Sequence, residues 1–148
     1  MVSNLVHSQC LKFDTEALKK AVALCVPGAD IHKVCQDVDA YIEEEVKKVF
    51  ASKKARKMER GISFPCCISV NNIMGHYSPI ASETSSLAEG DIAKIICGGH
   101  IDGFAANAAA TVFVGEGKAT GRKADVVMAA HTAFQAALRA IKEAGTNQ

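Results

Sequence analysis

The chain contains no tryptophan, only three prolines and 5% aromatic residues, two Tyr and six Phe, among its 148 residues. A core of large rings is thereby excluded, and the 49% of apolar residues must build it from Ala, Val, Ile and Leu. An excess of one charge is also missing. Lys+Arg 17 against Asp+Glu 16 gives a formal charge of +1, which excludes an acidic tail or a uniformly basic nucleic-acid coat but allows a local patch. No run approaches the roughly 18 consecutive apolar residues of a membrane span. Lys12, Asp14, Lys19 and Lys20 break up the stretch 1–26 where the apolar core of a secretory leader would lie. The six cysteines, at 10, 25, 35, 66, 67 and 97, form neither Cys-x-x-Cys nor a Cys/His quartet. They read as free thiols of a soluble, intracellular chain that does not touch membranes. Cys66 and Cys67 would face opposite sides of a strand, an awkward arrangement for one shared metal.

The apolar content is too high for a disordered chain, and 148 residues suffice for one domain with a real core but not for two ordinary ones. Residues 1–148 are accordingly read as a single domain. From Asp14 to Val26, Leu18, Ala21, Val22 and Cys25 fall three or four apart, with Asp14 as an N-cap and Pro27-Gly28 as the stop of a first helix. A second helix follows Asp30, with Ile31, Val34, Cys35, Val38, Ile42, Val46, Val49 and Phe50 on one stripe.

After the basic stretch the period changes. Gly61–Val70 is short and β-branched, Asn71-Asn72 can turn, and Ile73–Tyr77 can return as a partner strand. Ser78–Gly90 is rich in Ser and Glu and reads as a surface loop. Ile92–His100 and Phe104–Val114 flank Asp102-Gly103, a dipeptide that accepts the positive φ angles of a type I′ hairpin turn. The last element starts near Gly121, carries Val127, Ala130, His131, Phe134, Ala137, Leu138 and Ile141 at helical spacing, places Asp125 early and Lys142 late, and stops at Gly145. Two helices, strands and a helix predict an α+β fold with helices packed on one face of an antiparallel sheet.

With a two-residue turn at Asp102-Gly103, Asn107 falls opposite Gly98, and Ile96 lies two residues further along the same strand. Ile96 and Asn107 are then diagonal neighbours on one sheet face. Two carboxylates placed there could share metal ions between them. This chain has neither.

Gly61-Ile62-Ser63-Phe64-Pro65, Ile68-Ser69-Val70-Asn71-Asn72, His76-Tyr77-Ser78-Pro79, Glu89-Gly90-Asp91, Lys94-Ile95 and His100-Ile101-Asp102-Gly103-Phe104 resemble the pita-bread fold of the type 2 methionine aminopeptidases. Gly121-Arg122-Lys123-Ala124-Asp125-Val126, with Ala129-Ala130-His131 and Ala137-Leu138-Arg139, is similar to the proliferation-associated branch, also called the ErbB-receptor-binding family. The resemblance runs from about Leu18 to Ile141 and implies the N-terminal half of a pita-bread fold. It also implies that the catalytic relatives carry their first two metal-binding Asp residues at the positions of Ile96 and Asn107. An Ile side chain has no donor atom, and the Asn oxygen is neutral, so no metal or other cofactor is expected. The family's other ligands, a His and two Glu, belong to a second half outside this sequence.

His76 matches the substrate-site His of those enzymes. Without a metal it is more simply a hydrogen-bonded histidine kept by the fold, and the same holds for His100 and Asn107. His131, on an apolar stripe, is expected to be a satisfied packing residue.

Between positions 47 and 60 stand seven basic residues, Lys47, Lys48, Lys53, Lys54, Arg56, Lys57 and Arg60, against Glu59, a local +6 that leaves −5 for the rest. Such a dipole can steer one face toward a polyanion. Cations near a helix end also complement its dipole and keep the surface soluble. The resemblance tips this toward structured or ribosomal RNA. No aromatic platform is interleaved, so recognition would proceed through phosphates and shape.

The expectation is a non-enzymatic aminopeptidase homologue, cytoplasmic or nucleolar, that binds RNA or ribosomes and regulatory proteins in growth control. A methionine aminopeptidase, or a fragment of one, is the enzymatic alternative. A protein-only interaction or dimerisation module is the third. A lone first half would expose strand edge and apolar surface, so a homodimer imitating the missing half is also expected.

Overall fold

The computed structural model describes residues 2–49 and 58–141. Its elements run α1 (Val2–Leu24), α2 (Ile31–Lys48), β1 (Arg60–Val70), β2 (Ile92–Ile101), β3 (Phe104–Phe113) and α3 (Gly121–Ala140). Residues 1–116 form one compact unit and 117–148 another.

Helix α1 starts at Val2, well before Asp14, because Val6, Cys10, Phe13, Ala17 and Ala21 recur at helical spacing and are all buried. Asp14 is therefore not a cap; it sits in mid-helix and is 0% exposed. Helix α2 begins as its sequence predicts. The Asp30 side chain accepts from the backbone N–H groups of His32 (2.9 Å) and Lys33 (3.4 Å), satisfying donors that the first turn leaves open. The stripe Ile31, Val34, Cys35, Val38, Ile42 and Val46 is buried. Phe50 lies outside the described residues.

The three strands form an antiparallel sheet in the order β1-β2-β3. The β2–β3 hairpin turns on Asp102 (φ 53°) and Gly103 (φ 77°), the two left-handed positions that a type I′ turn needs. Its register pairs Ile101 with Phe104, Gly98 with Asn107 and Ile96 with Ala109. Within the first unit α1 packs against β2 and β3, and α2 chiefly against β1. Toward them point Ala93, Ile95, Cys97, Gly99 and Ile101 of β2, with Cys66 and Ile68 of β1 and Ala106 of β3, all buried. Fully burying one Ile side chain contributes about 1.5–3 kcal/mol. Gly99 is a contact point of this packing. A Cβ there would come 2.6 Å from Phe13 Cε2 and 3.0 Å from Ile42 Cγ2, so the ring of α1 occupies the space that a side chain would need.

Ile73–Tyr77 does not return as a strand. The Ile68 N–H does reach the Tyr77 carbonyl (2.8 Å), but the Tyr77 N–H is taken by Ser69 Oγ (3.2 Å), and His76 adopts φ 58°. A left-handed residue breaks an extended run, and the segment is irregular. Ser78–Gly90 is irregular as well, yet it is tied down. Leu87 is buried, the Gly28 N–H donates to the Leu87 carbonyl (2.7 Å), and the Ile31 N–H to the Ser85 carbonyl (3.0 Å).

In the second unit, α3 has Thr120 at its N-cap position without a side-chain cap bond. Its first turn holds no acid, since Asp125 falls just beyond it, and its last turn holds Arg139. None of its residues is buried. Lys142 and Gly145 lie outside the described residues.

Candidate functional site

Along β2 the residues between those facing the helices, Lys94, Ile96, Gly98 and His100, project to the other side of the sheet. Across the strands they form ranks: Phe64, Gly98 and Asn107 in one, Cys67, Ile96 and Ala109 in the next. Ile96 and Asn107 are thus the diagonal neighbours that the hairpin spacing predicts. Ile96 is half-buried and Asn107 exposed.

Opposite this rank β1 is irregular, with register shifts between Ile62 and Phe64 and between Phe64 and Cys67. Bulges of this kind re-aim side chains. Here the shift brings Ser63 to Asn107, with Ser63 Oγ donating to Asn107 Oδ1 at 3.1 Å. The Asn107 side chain lies over Gly98, because a Cβ on Gly98 would run into Asn107 Oδ1 and the Ala106 carbonyl. Its carboxamide oxygen is therefore already engaged with the sheet itself. His76 arrives from the irregular segment after β1, and its ring packs on Phe64 with centroids 5.5 Å apart. His76, Ile96 and Asn107 consequently gather around one part of the open face, while His100 lies on the same face nearer the hairpin turn. His131 belongs to α3 and is exposed rather than packed.

A metal does not fit this surface. An aliphatic side chain holds one of the two positions, and a neutral amide already bonded to Ser63 holds the other. Among the described residues no three His, Cys, Asp or Glu side chains could hold a metal ion.

Beneath the same rank lies a carboxylate that the sequence had suggested only as a cap. Asp14 Oδ1 accepts from the Gly99 N–H at 2.8 Å, a bond between residues 85 apart in the chain. Asp14 Oδ2 is buried with no protein partner. Burial raises its pKa to about 7, although the Gly99 bond pulls the other way. The available signal was the apolar period through Val6, Cys10, Phe13 and Ala17, which puts Asp14 one turn from Cys10 on a buried face. Cys10 itself donates to the Phe104 carbonyl at 3.3 Å, so the same helix face also holds the hairpin turn.

Of the basic stretch, Lys47 and Lys48 form the last turn of α2 and Arg60 opens β1. Lys47 pairs with Glu43 (3.6 Å), Lys48 with Glu45 (2.6 Å), and Arg60 Nη1 donates to the Lys47 carbonyl at 3.5 Å. Lys53, Lys54, Arg56 and Lys57 lie outside the described residues.

Comparison with known proteins agrees with this fold. The profile of metallopeptidase family M24 matches residues 7–147. The ErbB-3 binding protein 1 of Arabidopsis thaliana is 46% identical over 132 residues, covering 89% of this chain and 33% of that protein. Proliferation-associated protein A of Dictyostelium discoideum is 44% identical over 134 residues, covering 88% of this chain and 34% of that one. A solved structure of a thermophilic Arx1 superimposes with a TM-score of 0.83 at 26% identity, covering 99% of this chain and 42% of that one. The chain spans about one third of the length of these curated relatives.

Proposed function

Because the chain belongs to metallopeptidase family M24 and matches the N-terminal part of its proliferation-associated branch, we propose that it acts by binding rather than by peptide hydrolysis. The observation that carries this reading is the pair Ile96 and Asn107. Where two carboxylates would have to share metal ions, the sheet offers a hydrocarbon and an amide held by Ser63. Purified protein should contain no stoichiometric transition metal and release no N-terminal Met from a short peptide in added cobalt or manganese. Metal-dependent release that is lost in His76→Ala would overturn the proposal.

The proposed ligands are structured or ribosomal RNA and regulatory proteins of growth control, in the cytoplasm or nucleolus. The +6 stretch between positions 47 and 60 supports the RNA part, since clustered cations bind phosphates without needing base contacts. Gel-shift titrations at several salt concentrations test it. Charge reversal of Lys53, Lys54, Arg56 and Lys57 should weaken binding, and unchanged affinity would remove the stretch from the RNA reading.

A second reading, a protein-only interaction module, draws on the pairing of Lys47 and Lys48 with Glu43 and Glu45, which uses those cations within α2 itself. A second copy of the chain is its simplest partner, because β3 has no strand on its outer side among the described residues. Light scattering over a concentration series distinguishes a dimer from a monomer.

A further inference from the structure

The sheet has two outer strands, and the chain treats them differently. Along β1, the Cys66 N–H donates to Asp39 Oδ1 (2.7 Å) and the Ile68 N–H to the Tyr77 carbonyl (2.8 Å), while Pro65 has no N–H to offer and two register shifts break the regular spacing. None of these devices protects β3. Its ten residues, Phe104–Phe113, hold no charge and no proline, pair with β2 without a register shift, and have no strand beyond them among the described residues. A long, regular, uncharged edge of this kind is a template for another strand.

The register of β3 decides which groups that edge offers. The Val114 N–H donates to the Asp91 carbonyl (2.8 Å), and Ile101 pairs with Phe104 across a two-residue turn, so the even-numbered residues bond toward β2. The N–H and C=O groups of Ala105, Asn107, Ala109, Thr111 and Phe113 therefore point away from β2. The first four of these residues are exposed.

We propose that this edge binds a second copy of the chain, β3 against β3, antiparallel about a two-fold axis at Ala109, so that two three-stranded sheets become one of six strands. The proposal rests on the second-copy reading given above and adds its surface and register. A two-fold axis perpendicular to the sheet keeps each side chain on its own face, so odd-numbered residues fall opposite odd-numbered ones. An axis at Ala109 pairs Ala105 with Phe113, Asn107 with Thr111 and Ala109 with its own copy, and all five outward residues share about ten hydrogen bonds. Any other centre leaves at least one of them unpaired. Side chains agree with this register: small lies across from large at Ala105 and Phe113, an amide across from a hydroxyl at Asn107 and Thr111, and no like charges meet. Growth stops at two copies, because both outer strands of the joined sheet are then β1.

Light scattering of the full chain from about 10 μM to about 1 mM should show a monomer passing into a dimer and no further, since strand addition alone lies at the small end of protein interfaces. Ala109→Pro removes an outward N–H that β2 does not use; it should weaken the dimer about tenfold and leave the circular dichroism spectrum unchanged. Ala109→Cys should form a disulfide-linked dimer in oxidised glutathione, because a hydrogen-bonded antiparallel pair holds its Cα atoms about 5.5 Å apart. The native cysteines among these strands and helices are buried and do not compete. Ala105→Cys should not link, its copy lying roughly 27 Å away along the strand, whereas Ala105→Cys combined with Phe113→Cys should. These cysteine variants decide the matter should Ala109→Pro not fold. A chain that stays monomeric throughout would remove the second-copy reading together with this edge. A dimer in which Ala109→Cys does not link would keep the second copy and overturn the β3 surface, and a link through Ala105→Cys alone or assembly beyond two copies would overturn the register and its closure.

Discussion

The two faces of the sheet are made from the same three strands under different constraints. On the side under α1 and α2, Ile95, Cys97, Gly99 and Ile101 alternate into a space so filled that even a methyl group at Gly99 would strike Phe13 and Ile42. On the other side, Phe64, Ile96, Asn107 and His76 meet around a bulge and stay partly or fully exposed, although Gly98 beneath Asn107 Oδ1 has no room for a side chain either. One face specifies the fold. The other would carry any chemistry, and its side chains point away from that packing. That separation lets one fold serve both enzymes and binding proteins.

The largest effect should separate the faces directly. Ile95→Ala opens a cavity between sheet and helices and should cost about 2–5 kcal/mol in urea unfolding. Ile96→Ala, one residue on, should cost no more than about 1.5 kcal/mol because its side chain is half-buried on the open side. Equal losses at the two positions would break the comparison.

Next comes Asp14, whose carboxyl is on the covered face. Its folded pKa of about 7 lies above the ordinary carboxylate value, so the folded state holds a proton that the unfolded chain has already released. The stability contributed by protonated Asp14 is complete below about pH 4 and is lost as pH rises toward 7, with a slope near 1.4 kcal/mol per pH unit for one proton. Asp14→Asn removes that slope while keeping an acceptor for the Gly99 N–H. The variant should therefore be the more stable protein at pH 8, by about 2–4 kcal/mol. Urea unfolding from pH 4 to 8 would show it, and parallel curves for the two proteins would place the charge of Asp14 in solvent.

What could be read from sequence follows the same division. The hairpin was legible down to its register, because Asp102-Gly103 permits one turn and that turn sets every pair after it, including the diagonal of Ile96 and Asn107. The stripe of α2 was legible because its period and its Asp30 cap are local. Asp14 was misread since an Asp ahead of an apolar period is ordinarily a cap; nothing nearby reveals that an amide 85 residues away will need its oxygen. Ile73–Tyr77 has strand-like residues, but the left-handed turn at His76 comes from packing on Phe64 and the claim of Ser69 on Tyr77. The bond from Ser63 to Asn107 depends on a bulge, and the bond from the Cys66 N–H to Asp39 depends on how α2 lies across β1. Neither leaves a mark in residue order.

A smaller effect is expected where carboxylates are introduced. Ile96→Asp with Asn107→Asp sets two like charges diagonally on the open face and should cost about 1–2 kcal/mol without metal, since the repulsion is largely exposed to solvent. Manganese or cobalt in millimolar amounts should recover part of that loss in the double variant and leave the unaltered chain's melting curve where it was. A metal-dependent melting curve in the unaltered chain would mean that the open face still binds metal through groups other than these two.

The smallest change in stability should come from Lys47→Gln and Lys48→Gln. Their partners Glu43 and Glu45 belong to the same helix, on the side away from its buried stripe, in ion pairs of a kind that contribute little when water competes for both charges. Thermal unfolding should be indistinguishable from that of the unaltered chain, in contrast to every substitution under the helices. RNA binding should respond where folding does not. If these cations reach phosphates, each substitution lowers the affinity and reduces the slope of log K against log salt by about 0.7–0.9 for every phosphate no longer neutralised. A slope left unchanged, with folding also unchanged, would assign Lys47 and Lys48 to the end of α2 alone and move any polyanion binding further along the basic stretch.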